Sequence, residues 1–279
     1  VRVDFHSHTG ASHDVRKSFT AERNREWHRS GGFDIAYITD HVTFDGAVAA
    51  SADNPLLAGD GTSLLTGIEG RYHRIMSTIM LGLTEADTAL LNRRGNLLPG
   101  ETASGRRPVT IVALPNRHLD SVTAESLDSL PRFVALELVD AAPRGLGQLD
   151  REEARIRSLA TNLDLVLVAA SNNHGFGRTV AAWNLMRIPG WRTLSPDSVG
   201  RLIEEPLRQR DLDAVTIVRR RRPSVHGVSL AAILPVIVYQ TIGTLTFTER
   251  LVWLAWIWIP AVALLSASHR IVLGGPRRP

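Results

Sequence analysis

The sequence predicts an α/β fold: a distorted (β/α)7-type barrel followed by a two-helix transmembrane hairpin. Three observations point there. From Val1 to about Val218, short apolar runs alternate with helix-like stretches, the pattern of parallel strands joined by helices. Several of these runs stop on His, Asp, Glu or Asn, where barrel strands deliver side chains to their C-terminal rim. Beyond Val218, Val228–Leu245 and Leu251–Ser268 carry no charge. At about 18 residues each, they sit near the lower limit for a bilayer-spanning helix.

In chain order, Val1–Phe5 reads as the first strand, followed by a polar loop to Ser18. Thr20 can cap a helix over Ala21–Arg29, with Glu22 in its first turn and Gly31-Gly32 ending it. His28, on this charged helix, is expected at the surface. Asp34–Ile38 is a buried parallel strand ending on Thr39-Asp40-His41, and 45–61, rich in Ala, Gly and Asp, is loop with at most a helical turn. Ser63–Ile68 is a strand ending on Glu69, and Arg74–Leu83 another. Thr84 caps a helix to Arg93, with Glu85 and Asp87 placed to complement its dipole. Strands at Val109–Leu114 and Phe133–Val139 follow, then a helix over Arg151–Thr161. Leu163–Ala170 is the most strand-like run, and it delivers Ser171–His174. Pro196–Arg210 closes as a helix and Asp213–Val218 as a final strand.

With 279 residues, 44% hydrophobic and 22% charged, the chain suits one large domain plus a smaller element and is not a disordered chain. It has no cysteine, which excludes disulfides and thiolate sites, so transition-metal ligands must be His, Asp, Glu or Asn. The net charge of +4 is locally concentrated, notably in Arg219–Arg222 and Arg277-Arg278. Such clusters suit nucleic acid or a membrane surface. Because Arg219–Arg222 abuts an apolar span, topology explains it and nucleic acid is not expected as a partner.

The domain reading is therefore a globular domain over 1–218, a basic linker over 219–227, a membrane hairpin over 228–268 and a basic tail over 269–279. Thr246–Arg250 makes the turn between the spans, and Pro235 and Pro260 are tolerated in lipid-embedded helices. Arginines flank both ends, so the positive-inside rule puts the domain on the cytoplasmic face of a membrane. The chain opens on Val1 and runs straight into a strand, which reads as a piece of something longer.

The chemistry-bearing residues begin with His6-Ser7-His8. Residues two apart on a strand share a face, so both imidazoles can reach one ion. Ser12-His13-Asp14, Thr39-Asp40-His41, Gly67-Ile68-Glu69 and Ser171-Asn172-Asn173-His174 follow in that order. This succession resembles the PHP (polymerase and histidinol phosphatase) superfamily of metal-dependent hydrolases, over roughly Val1–Trp191 and most specifically in the N-terminal half. The resemblance implies a distorted PHP barrel with up to three divalent ions (Zn, Mn or Fe) and phosphoesterase activity on a small, phosphorylated substrate. Some relatives cleave carbamate or amide-like bonds.

Carried over position by position, His6, His8, His41, Glu69 and His174 match metal ligands. His13 and Asp14 both fall at the next ligand position, Asp14 preferred, and Asp40 would orient His41. Three positions depart from the pattern. Ser77 stands near an expected histidine, with His73 earlier. Leu114 replaces another, with His118 three residues beyond its Pro115 neighbour's strand end as a substitute from the loop. Asn172 stands for an aspartate, and a neutral amide is a weak ligand. Arg178 can pair with a substrate phosphate. Glu137 is either a rim carboxylate or a structural ion-pair partner. A metal-dependent hydrolase and a catalytically degenerate, ligand-binding or scaffold domain are the two readings these residues leave, with the oligomeric state open.

Overall fold

The computed structural model describes residues 1–72, 76–90, 102–103, 105–113, 133–140, 150–175, 180, 182–219, 235, 238, 242 and 247–273. Among the described residues, nine strands form one sheet: β1 (Arg2–Ser7), β2 (Ile35–Ile38), β3 (Ser63–Tyr72), β4 (Met76–Leu81), β5 (Val109–Ala113), β6 (Phe133–Asp140), β7 (Val166–Ala170), β8 (Ala182–Leu185) and β9 (Thr216–Arg219). Their spatial order is β7-β6-β5-β4-β3-β2-β1-β8-β9. The α-helices among the described residues are α1 (Ala21–Ser30), α2 (Asp45–Ala52), α3 (Asp150–Asn162), α4 (Pro196–Arg208) and α5 (Phe247–Leu273).

The sheet curls into a barrel-like α/β fold because β1 is shared between two neighbours. Its first residues pair with β8, antiparallel, Arg2 opposite Leu185 and Val3 opposite Asn184. Its end turns to the chain beyond β7: Ser7 bridges Asn173, His8 N donates to Asn173 O at 3.1 Å and Asn172 N to His6 O at 2.9 Å. Between these levels the buried Asn184 amide spans the seam. It donates to Val3 O (2.9 Å) and Ala169 O (2.7 Å) and accepts from Ala169 N (2.7 Å). Backbone groups that a strand would have paired are thus satisfied by one side chain.

Several expectations need correction. The sheet is mixed: β4 runs antiparallel to both β3 and β5, and β8 is antiparallel to β1 and β9. The apolar runs show where strands lie but carry no polarity, and β3 and β4 are separated by too few residues for a crossover. The Ala-rich stretch forms α2, because its alanines (Ala47, Ala50) pack against Ala36, Ile38 and Leu64. Among the described residues, a 3-10 stretch, Glu85–Leu90, follows Thr84 where an α-helix is expected, and 91–93 lie outside them. Arg219 belongs to β9 and donates to Glu153 at 2.7 Å, so it is a sheet residue rather than part of a free basic collar.

The transmembrane hairpin is not supported: among the described residues, no helix is long and apolar enough to cross a membrane. Nearly all of the first expected span lies outside the described residues. The second falls within α5, whose first turn holds Glu249 and Arg250 and whose end holds His269 and Arg270.

The main core combines Val3, Phe5, Ile35, Tyr37, Ile79, Ile111, Val166 and Val168 with Val199, Ile203 and Leu207 of α4. Ser195 caps α4 and Pro196 opens it. Its apolar stripe fills the barrel at the strands' N-terminal ends, leaving the other rim for polar side chains.

Candidate metal centre

At the C-terminal rim, β1 breaks its own alternation. Its pairing with β2 shifts register between Asp4 and Ser7. Val3 and Phe5 point into the apolar core, yet His6 and His8, of opposite parity, also reach the interior carboxylates. A bulge that re-aims side chains is a recurrent device beside functional sites.

The result is a chain of short contacts. His6 Nε2 lies 2.9 Å from His8 Nε2 and 3.1 Å from Glu69 Oε2, and His8 Nε2 lies 3.2 Å from the same carboxylate oxygen. Glu69 Oε2 also meets His41 Nδ1 at 3.3 Å. Asp14 Oδ2 meets His41 Nε2 at 3.2 Å and His174 Nε2 at 3.3 Å. Two triads can each hold an ion: His6, His8 and Glu69, and His8, His41 and His174. One imidazole nitrogen serves one ion, so both positions fill together only if another group replaces His8 in one of them. Asp14, touching His41 and His174, is placed to do so.

Hydrogen bonds behind the cluster fix which nitrogens face inward. Glu137 Oε1 is 2.8 Å from His6 Nδ1, so this nitrogen carries the proton and Nε2 is turned to the centre. The Asn172 carbonyl does the same for His174 Nδ1 at 2.8 Å. Such partners orient ligating histidines and raise their basicity.

Burial and mutual charge set the electrostatics. Burial opposes protonation of His6, but Glu137 and Glu69 outweigh it and hold its pKa well above the usual value. Burial alone would raise Glu69; His6 and His8 instead hold it well below the ordinary carboxylate range. Burial lowers His8 and His41. Asp14, despite some burial, is lowered by His41 and His174. A cluster of imidazoles around ionised carboxylates, with no thiolate, fits a divalent ion of borderline character such as Zn, Mn or Fe.

Of the sequence candidates, the structure brings His6, His8, Asp14, His41, Glu69 and His174 together. His13 is exposed and joins neither triad, its ring 5.2 Å from that of His41. Asn172 sits in the left-handed region (φ 44°) and meets His174 through its main chain. His73, Leu114, His118 and Arg178 lie outside the described residues.

Asp40 does not orient His41 directly. Thr9 N and Oγ1 donate to it, each at 2.6 Å, and Ser12 Oγ donates at 2.9 Å while accepting from His41 N at 2.9 Å. Asp40 therefore ties down the loop carrying Ser12 and Asp14. Gly46, at the start of α2, permits this, since a Cβ there would overlap Asp40 Oδ2 and Thr9 Oγ1.

His28 is not a surface residue. It is fully buried, with Nε2 2.8 Å from Asp4 Oδ2 and Nδ1 2.9 Å from Asn24 O. The parity of Glu137 with Ala135, which faces the main core, was the available sign that this carboxylate points inward.

No protein-family model matches the chain, and no curated protein matches it. Among solved structures, the chain is similar to PsfC from Pseudomonas syringae PB-5123 (15% identity, 86% of this chain and 96% of that one, TM-score 0.49). It is also similar to a protein provisionally described as a metal-dependent phosphoesterase from Bifidobacterium adolescentis (16% identity, 72% and 95%, TM-score 0.44). A third is an amidohydrolase from Chromobacterium violaceum with bound sulfate and no metal (14% identity, 78% and 98%, TM-score 0.49).

Proposed function

We propose that this protein is a metal-dependent hydrolase, acting as a phosphoesterase on a small phosphorylated substrate. One observation carries the reading: His6, His8, Asp14, His41, Glu69 and His174, drawn from five separate segments, converge within hydrogen-bond distance at one rim of the barrel. His6, His8 and Glu69 are buried; concentrating titratable groups there costs folding energy, which a bound divalent ion would offset.

His6, His8, Glu69, His41 and His174 would hold a divalent ion, which would supply Lewis-acid polarisation of a phosphoryl oxygen and a more acidic water. The chain's own contribution is orientation. Glu137 and the Asn172 carbonyl hold protons on the outer nitrogens of His6 and His174, and Glu69 lies between His6, His8 and His41 as a shared carboxylate. The order of motifs, similar to that of the PHP superfamily, favours a phosphoester over a carbamate or amide.

The same proposal includes attachment to a membrane through the C-terminal region, with the domain on the cytoplasmic side. What supports it is the exposed apolar surface of α5, which runs around the helix and includes Phe247, Trp256, Trp258, Ile259, Leu264 and Leu265. Flotation with anionic vesicles tests it: chain remaining at the bottom of the gradient would refute attachment.

The hydrolase reading is tested by elemental analysis of the purified protein beside His6→Ala and His41→Ala, with phosphomonoester and phosphodiester assays. At least one equivalent of Zn, Mn or Fe, lost in the variants together with turnover, is expected. Metal-free protein after reconstitution, with intact fold, would leave a ligand-binding domain.

A further inference from the structure

At the opposite end of the barrel, where β5 and β6 begin, a cavity of about 450 Å³ is lined by Arg106, Arg107, Pro108, Val134, Arg208 and Arg210. A second, of about 380 Å³, adjoins it through Arg106 and Arg208. Four arginines line one small pocket and their charges repel one another, a repulsion only partly answered. Arg208 donates to Glu204 at 2.6 Å and to the Arg107 carbonyl at 2.6 Å, with Glu205 at 3.6 Å. Arg210 donates to the Phe133 carbonyl at 2.8 Å, a neutral partner. Among the described residues, the guanidinium groups of Arg106 and Arg107 make no hydrogen bond or ion pair, although Arg106 lies near enough to Glu204 to favour its charged form.

Two further features show the pocket is built rather than accidental. Arg208 has its side chain 13% exposed, and its Nη1 is buried and makes no hydrogen bond, Glu205 Oε2 standing off at 3.6 Å. A buried charged donor without an acceptor is costly unless something supplies one. The backbone is also held unfavourably. Arg210 N bonds Leu207 O and Asp211 N bonds Pro206 O, which makes Arg210 the left-handed residue of a Schellman ending. That position, at φ 55°, favours glycine, yet an arginine occupies it and its side chain lines the cavity.

We propose that this pocket binds a phosphate-bearing anion, of the size of pyrophosphate or the diphosphate end of a nucleotide, at a site separate from the metal centre. Guanidinium groups present paired donors that match phosphate oxygens, and a dianion neutralises the charge left after Glu204 and Glu205.

Calorimetric titration of the full chain with inorganic pyrophosphate, in chelator and at about 150 mM salt to screen weak surface attraction, tests this. Saturable binding is expected, weakened more than about tenfold in Arg106→Ala/Arg107→Ala, where two charge-assisted contacts are lost. Both side chains are exposed, so their removal leaves folding intact. Arg210→Gly keeps or raises Tm by relieving the left-handed position while also losing affinity, which separates binding from stability. Adenosine diphosphate tighter than pyrophosphate identifies a nucleotide as the source; equal affinity identifies the phosphates alone. His41→Ala should bind unchanged. No saturable binding, or binding abolished by His41→Ala and untouched by Arg106→Ala/Arg107→Ala, overturns the proposal, and neither result depends on whether the rim site is a hydrolase.

Discussion

His28 on α1 and Asp4 on β1 form a fully buried pair, Nε2 to Oδ2 at 2.8 Å, one layer beneath the histidine cluster. The other ring nitrogen of His28 faces the Asn24 carbonyl at 2.9 Å, so both nitrogens are engaged. Asp4 in turn accepts from Ser171 N at 3.0 Å and His6 N at 3.3 Å, at the level where β1 meets the segment after β7. This carboxylate therefore joins α1, β1 and the strand end that carries His174. His28→Ala removes the partner of a fully buried carboxyl group, and should cost about 3–5 kcal/mol in denaturant unfolding. Unchanged stability would mean that the pair is not formed.

Glu137 is buried and 2.8 Å from His6 Nδ1, on the side away from Glu69 and His8. Glu137→Gln keeps size and a hydrogen-bonding amide but removes the charge that orients and enriches the imidazole. Metal affinity should fall about 10–100-fold, the usual effect of losing such a partner. Competition with a fluorescent chelator measures it, and circular dichroism should show the fold retained.

Asn184 closes the seam between β1 and β7 with three hydrogen bonds, all at 2.9 Å or shorter. Asn184→Ala strands Val3 O, Ala169 O and Ala169 N inside the protein. Each unsatisfied buried group costs about 1–3 kcal/mol before water enters, so a loss of at least about 2 kcal/mol is expected. Hydrogen exchange locates the damage: the Ala169 amide should exchange faster while amides of β2 and β3 keep their protection. Uniform acceleration would show that the seam is not a separate weak point.

What could be read from the sequence divides along physical lines. His6, His8, His41, Glu69 and His174 were legible because each follows an apolar run, and a strand's end is fixed by where apolarity stops; Asp14, in the polar loop after β1, was legible only from its place in the motif succession. The inward turn of His6 and His8 was legible only as a shared face, since the register shift after Asp4 leaves no mark in composition. His28 was misjudged because α1 is charged along most of its length, and its burial depends on Asp4, a partner distant in sequence. Strand β8, Ala182–Leu185, escaped notice because four residues of mixed polarity give no periodic signal, and its place is set by Asn184. The antiparallel direction of β4 follows from the tight connection to β3.

Glu204 offers a test of burial against pairing. It lies in the wall between α4 and the sheet, bonded to Arg208 at 2.6 Å and accepting from Tyr37 Oη at 3.3 Å. Burial raises its pKa above 4.5, outweighing the opposing pull of Arg208 and Tyr37. A carboxyl with a raised folded-state pKa takes up protons on folding. Its contribution is therefore complete below the unfolded value and is lost as pH rises through the folded value. Glu204→Gln mimics the neutral form at every pH. The variant's Tm relative to wild type should therefore increase between pH 4.5 and neutrality, and thermal unfolding at both ends of that range reads the difference. A relative Tm that instead falls with pH would mean that the ion pair with Arg208 dominates and that Glu204 is stabilised as the carboxylate.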